Sequence, residues 1–137
     1  VDAPLTVDLV RVESYGDGTE SSGRPRVTAD LKVDVAGKHV VVVEDIVDTG
    51  NTVSCLIAHL QKKGALSISV CTFLDKPARR TVDFQQVGGG KFYRGFEVEI
   101  SPPFNISLYG TKPNLEPKVL RGYFVTSIMI LVCLLHL

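Results

Sequence analysis

Four consecutive valines, Val40 to Val43, followed by Glu44-Asp45-Ile46-Val47-Asp48-Thr49-Gly50-Asn51-Thr52, constrain this chain more than any other stretch. A β-branched run without polar alternation fits a strand buried on both faces, inside a parallel sheet rather than at a half-wet edge. The acidic pair Glu44-Asp45 then sits where that strand should end. Asp48 and Thr49 can each cap a helix, and Gly50, lacking a Cβ, permits a tight turn and close approach of a ligand to the backbone. Such a turn offers free N–H groups at the positive end of the following helix, a ready place for a phosphate. Glu44 and Asp45, one step back, would face the hydroxyls carried by that phosphate. The plainer reading makes the acids a solvated strand end and Thr49 only a cap.

The residues beyond the turn extend this into a unit. Val53, Leu56, Ile57 and Leu60 recur at i, i+3, i+4 and i+7, one apolar helical stripe, with Lys62, Lys63 and Gly64 supplying a basic last turn and a glycine stop. Ser67 to Leu74 is short and rich in β-branched and aromatic residues, so strand, helix and strand form a βαβ unit with a right-handed crossover. The second strand ends at Asp75-Lys76-Pro77, again on the ligand side, and Arg79 and Arg80 read as a solvated charged turn. His39, at the amino end of the first strand, reads as structural; His59, off the helical stripe, reads as a surface residue. The fold class expected is α/β, a parallel twisted sheet with flanking helices.

Upstream, Leu5, Val7 and Leu9 alternate with polar residues before Val10 and Val12 shift parity, a strand with a bulge. Glu13 to Arg26 is Ser-, Gly- and charge-rich and opens on Ser14-Tyr15, a mobile surface segment. Leu31, Val33 and Val35 predict a short half-exposed extended segment, closed by the turn Ala36-Gly37-Lys38. The triplet Gly88-Gly89-Gly90 lacks the Lys-Thr ending of a Walker sequence and reads as a turn. Pro102 to Pro117 reads as irregular. The apolar run Tyr123 to Leu137 falls short of the roughly 20 residues that span a bilayer, so a tail anchor ranks below a terminus packed against the core.

Length and charge bound the rest. The 137 residues suit one core, and 15 basic against 15 acidic side chains leave no electrostatic footprint for nucleic acid. Cys55, Cys71 and Cys133 are odd in number, lie in or beside apolar segments, and fit core positions in a reducing compartment. No secretory signal is visible, and the start Val1-Asp2-Ala3-Pro4 lacks an initiator methionine, so the chain reads as a fragment.

The run from Glu44 to Thr52 resembles the ribose-phosphate-binding motif of type I phosphoribosyltransferases, most closely the hypoxanthine-guanine branch, which has an acid at the place held by Asp48. The likeness covers about Leu5 to Glu97, giving a partial core over residues 1–97 and a divergent tail over 98–137. It implies transfer of a phosphoribosyl group from phosphoribosyl pyrophosphate to a 6-oxopurine, with Mg2+ held mainly through the substrate and Glu44 and Asp45 as candidate supports. Within that likeness, Asp48 is the general base for the purine. Amides and hydroxyls of Asp48, Thr49, Gly50, Asn51 and Thr52 anchor the 5′-phosphate, and Glu44 and Asp45 take the ribose hydroxyls. Lys76 meets the 6-oxo group, and the Ser14-Tyr15 loop folds over the site to exclude water. A cytoplasmic enzyme, with homo-oligomerisation open, is implied. The chain departs from the family where a pyrophosphate-contacting loop should precede it and a purine-stacking segment should follow Glu97. The alternative is therefore a relative that holds phosphoribosyl pyrophosphate or a nucleotide without turnover, and a membrane-tethered protein ranks third.

Overall fold

The computed structural model describes residues 4–14, 24–84, 86–101, 105–110 and 129–135. They form strands β1 (Leu5–Ser14), β2 (Pro25–Ala29) and β3 (His39–Val47), helix α1 (Asn51–Lys62), then β4 (Ser67–Asp75), β5 (Phe92–Ser101), β6 (Asn105–Gly110) and β7 (Met129–Leu135). One sheet holds all seven strands in the order β2-β1-β7-β3-β4-β5-β6. Its centre, β3-β4-β5, is parallel, and every other pairing is antiparallel.

The βαβ unit follows the valine run. Val40 and Val42 are fully buried on the face that receives α1, and they meet Val53, Leu56, Ile57 and Leu60, the four positions of the helical stripe. In β4, Ile68 and Val70 stand in register with Val40 and Val42 and complete that layer. Burying each of these side chains contributes roughly 1.5–3 kcal/mol, so the stripe is what presses α1 onto the sheet. The helix ends as its composition predicts: Gly64 takes φ 82°, its N–H bonds Gln61 O at 2.9 Å and the Ala65 N–H reaches Leu60 O at 3.2 Å. This is a Schellman closure, satisfying two carbonyls the helix would otherwise leave open.

β1 carries the expected irregularity, with its register to β2 shifting between Arg11 and Val12. The parity change puts Val10 and Val12 in the core, while Leu5, Val7 and Leu9 remain about half exposed on the other face. The extended segment expected at Leu31–Val35 is not a strand. The pairing partner of β1 is Pro25–Ala29, and residues 31–35 cross over as a bend whose Val33 and Lys32 amides donate to the Asp8 carboxylate at 3.0 and 2.6 Å. Local alternation could not foresee this, because what holds 31–35 is a side chain some 25 residues away in sequence.

The later part of the chain extends the same sheet. β5 runs unbroken from Phe92 to Ser101, across the boundary expected at Glu97, and β6 pairs with it, so residues 105–110 within the stretch expected to be irregular are a strand. Of the apolar C-terminal run, Met129–Leu135 forms β7, inserted antiparallel between β1 and β3, and the rest lies outside the described residues. Among the described residues, no helix is long and apolar enough to cross a membrane.

The glycine triplet is a turn. Val87 bridges Ile68, the Gly90 N–H bonds Val87 O at 3.1 Å, and a Cβ on Gly90 would collide with the Ile68 carbonyl. His39 Nδ1 and Ser67 Oγ lie 2.6 Å apart, tying together the amino ends of β3 and β4, a structural role. His59 is engaged rather than merely solvated: its Nε2 is 2.8 Å from Asp30 Oδ1, and Lys63 reaches the same carboxylate.

Candidate functional site

At the carboxyl end of β3 the chain turns through Asp48-Thr49-Gly50 into α1. The side-chain cap expected from Asp48 or Thr49 is absent. Gly50 is the N-cap residue, left-handed at φ 88°, and no side chain caps the helix. The Thr49 hydroxyl reaches only the Asn51 amide, at 3.4 Å, and the Asp48 carboxylate is drawn aside by Arg79. No acidic residue lies in the first turn. The positive end of α1 therefore carries amides that the fold does not neutralise, which is the local requirement for an anion. Gly50 is required by its surroundings as well as its φ, since a Cβ there would lie 2.5 Å from the Val82 carbonyl. The close approach that glycine permits is thus to the protein's own backbone.

The turn is held from beside it. Thr49 O accepts the Thr81 and Val82 amides at 3.1 and 3.2 Å, and the Asp48 carbonyl accepts Arg80 Nη1 at 3.1 Å. The Asp48 carboxylate accepts Arg79 Nε at 2.7 Å and lies 3.9 Å from Lys76 Nζ. Lys76 itself is 7% exposed and its N–H bonds Val47 O at 2.9 Å, so β4 delivers its side chain beside Asp48 at the ligand end of the sheet. Asp48 and Lys76, separated by a helix and a strand in sequence, are brought together at the carboxyl end of the sheet.

The acidic pair divides. Asp45 is exposed, with its Oδ1 accepting the Ile46 amide at 2.7 Å. Glu44 is 2% exposed, faces the α1 side of the sheet in register with Thr72, and neither of its carboxylate oxygens has a hydrogen-bond partner. Burial first, then the adjacent Asp45 carboxyl, pushes its pKa up to about 9. The expectation that Glu44 grips ribose hydroxyls is corrected for this structure: the strand pleat that buries Val40 and Val42 also buries Glu44. Ser14 ends β1 opposite Pro25, while Tyr15 lies outside the described residues. Asn51 and Thr52 open α1, with Asn51 exposed.

Two residues carry more of this site than their sequence context suggested. Asp75 is 1% exposed and accepts Arg80 Nη2 in a short charge-assisted bond, with Arg94 Nη1 at 3.7 Å on its other oxygen. Arg80, expected in a solvated turn with Arg79, has a side chain only 15% exposed and stacks 5.2 Å from the Phe84 ring centre; Arg79, at 58%, is solvated. The spacing from Asp75 to Arg80 carries no periodic signal, because the 3-10 turn Pro77–Arg79 reverses the chain between them. A cleft of about 280 Å³ opens beside this pair, lined in part by Asp75, Arg80, Phe84, Phe92 and Arg94. Among the described residues no three His, Cys, Asp or Glu side chains gather as a metal centre.

Comparison with known proteins places the chain in a family. Residues 2–99 match the phosphoribosyl transferase domain model. The hypoxanthine phosphoribosyltransferase of Haemophilus influenzae is 40% identical over 83 residues, which are 61% of this chain and 46% of that protein. The hypoxanthine-guanine phosphoribosyltransferase of Staphylococcus aureus strain Mu50 is 37% identical over 125 residues, 87% of this chain and 68% of that protein. Among solved structures, a hypoxanthine-guanine phosphoribosyltransferase of Bacillus anthracis aligns with a TM-score of 0.56 at 34% identity, covering 69% of this chain and 50% of its own. The chain thus spans about half the length of the Haemophilus and Bacillus proteins. With an uncapped helix start, an acid and a lysine at the strand ends, and a family match over most of its length, this chain belongs to the phosphoribosyltransferase domain family.

Proposed function

We propose that the chain serves purine salvage by transferring a phosphoribosyl group from phosphoribosyl pyrophosphate to a 6-oxopurine, giving a nucleoside monophosphate. The observation that carries this reading is the Asp48–Gly50 turn, which leads into an uncapped helix with Asp48 and Lys76 side by side at its rim. The amides from Gly50 onward would take the 5′-phosphate. Lys76 would donate to the 6-oxo group, a contact that the 6-amino group of adenine, itself a donor, does not offer. Asp48 would accept the proton from the purine nitrogen, after exchanging its contact with Arg79 for the base.

The departing pyrophosphate carries charge that a divalent ion would neutralise, and magnesium supplies that chemistry when it arrives on the substrate. Asp45 is the exposed carboxylate in place to support it, while Glu44, buried and without a partner, is not. The ribose hydroxyls would fall to Asp45 alone in this conformation. The reading goes with a cytoplasmic setting and with homo-oligomerisation, and the balanced charge offers no electrostatic footprint for nucleic acid.

Release of pyrophosphate in the presence of hypoxanthine or guanine and magnesium tests the proposal. Activity in the native chain that drops at least about a hundredfold in Asp48→Asn supports it; activity unchanged by that substitution removes Asp48 from the reaction. Tight binding of phosphoribosyl pyrophosphate without product would replace the reading by one of ligand holding.

A further inference from the structure

We propose that Arg80 is a positioning residue, fastening the Asp48–Gly50 turn to the carboxyl end of β4 and so setting the direction of the amides that open α1. The inference rests on the phosphate-binding reading of that turn and adds what holds it in shape.

Three attachments meet at Arg80. Its Nη1 donates to the Asp48 carbonyl at 3.1 Å, its Nη2 donates to the Asp75 carboxylate, and its guanidinium lies over the Phe84 ring at 5.2 Å. Its Cδ also fills the space beside Gly50, 3.1 Å from where a Cβ would stand. Asp75 is a rigid post. It pairs in register with Val47 on one side and Glu97 on the other, in the middle of the three parallel strands, and is 1% exposed. A buried carboxylate cannot release its cation cheaply, so the position of Arg80 follows the sheet.

The turn has little else to define it. It lacks a side-chain cap, and among the described residues, apart from the Ser54 amide of α1 itself on Gly50 O, the other hydrogen bonds that reach its backbone come from Thr81 and Val82, the residues directly after Arg80. Residues 80–82 therefore act as one strap. A planar guanidinium can serve the Asp75 carboxylate and the Asp48 carbonyl together in a fixed geometry, which a lysine ammonium on a flexible stem does not reproduce. Arg94 supplies the contrast within the molecule: it also faces Asp75, at 3.7 Å, yet makes no contact with the turn.

Amide hydrogen exchange and ligand titration on the full chain, compared across Arg80→Lys, Arg94→Ala and the native protein, test the inference. In the ligand-free protein, Arg80→Lys should raise exchange about tenfold at the amides bonded to the turn, those of Thr81 and Val82 on Thr49 O and of Ser54 on Gly50 O, while Ile57 and Leu60 in α1 keep near-native protection. The dissociation constant for ribose 5-phosphate should rise about tenfold with it, and Arg94→Ala should leave both readouts in place. Unchanged exchange at the turn in Arg80→Lys overturns the proposal. So does an equal rise along the whole of α1, which means loss of helix stability, or the same effect from Arg94→Ala, which means that only the charge on Asp75 matters. Should Arg80→Lys fail to fold, the double variant Asp75→Asn with Arg80→Gln keeps a neutral hydrogen-bonding pair and is read by the same comparison. A native protein that does not bind ribose 5-phosphate would remove the phosphate reading, while exchange in the ligand-free protein still decides whether Arg80 sets the turn.

Discussion

Two carboxylates lie almost equally deep in this sheet and are treated in opposite ways. Asp75, at the end of β4, is 1% exposed and faces two guanidinium groups; Glu44, near the end of β3, is 2% exposed and faces none. One has the cost of its burial offset by the guanidinium groups beside it, and the other is held as a neutral acid, its pKa pushed up to about 9. Depth alone therefore says nothing about what a buried acid does. Its partners decide, and they come from elsewhere in the fold: Arg80 from the segment after a 3-10 turn, Arg94 from β5. The paired acid ties the Asp48–Gly50 turn to the sheet through Arg80, whereas the unpaired one should make stability depend on pH.

The contrast can be broken most severely at the paired site. Arg80→Ala leaves Asp75 with the more distant Arg94 alone and should cost about 3 kcal/mol in urea unfolding. A loss under about 1 kcal/mol would mean that Arg94 suffices and that the pair is not the tie described.

At the unpaired site the expected effect runs the other way. Glu44 binds its proton more tightly folded than unfolded, so its contribution is complete below the unfolded value of 4.5 and is lost as pH rises through about 9. At pH 7 the penalty is on the order of 3 kcal/mol. Glu44→Gln should consequently be more stable than the native chain at pH 8, with the advantage gone near pH 4; equal unfolding midpoints at both pH values would show that Glu44 gains a partner in solution.

The turn between them gives a smaller effect. Gly50→Ala combines φ 88° with a Cβ 2.5 Å from Val82 O, and should cost about 2 kcal/mol while weakening ribose 5-phosphate. Unchanged affinity in that variant would separate the turn from the anion site.

The smallest effect is expected at an exposed acid, which sharpens the comparison from the surface. Partial burial opposes ionisation of Asp30, but bonds from Lys63 and His59 outweigh it and bring its pKa down to about 2. Its contribution is present above 3.8 and fades as pH falls through 2. With the carboxylate 45% exposed, Asp30→Asn should cost less than about 1 kcal/mol at pH 7, and native and variant thermal transitions should converge near pH 2.

Much of this was legible locally. The four valines, the stripe Val53-Leu56-Ile57-Leu60 and Gly64 each express a backbone period or a left-handed requirement that neighbouring residues settle among themselves. That Asp48 and Lys76 both stand at the carboxyl ends of strands in one βαβ unit was legible too; that their side chains approach to 3.9 Å was not. The rest depended on distant partners. Asp8 holds the Lys32 and Val33 amides in a bend where alternation suggested an extended segment, the Val82 carbonyl leaves no room for a Cβ at Gly50, and β7 enters the sheet between β1 and β3 from a terminal run whose hydrophobicity told only that it would be covered.

By itself, then, the sequence determined a strand, turn and helix with an open amide end, since periodicity and turn chemistry act over a few residues. Only the tertiary structure decided which acids and bases at that turn are charged, paired or withheld. Electrostatic state depends on desolvation and on partners many residues away, and Glu44 and Asp75, which look alike in the chain, acquire their difference from that alone.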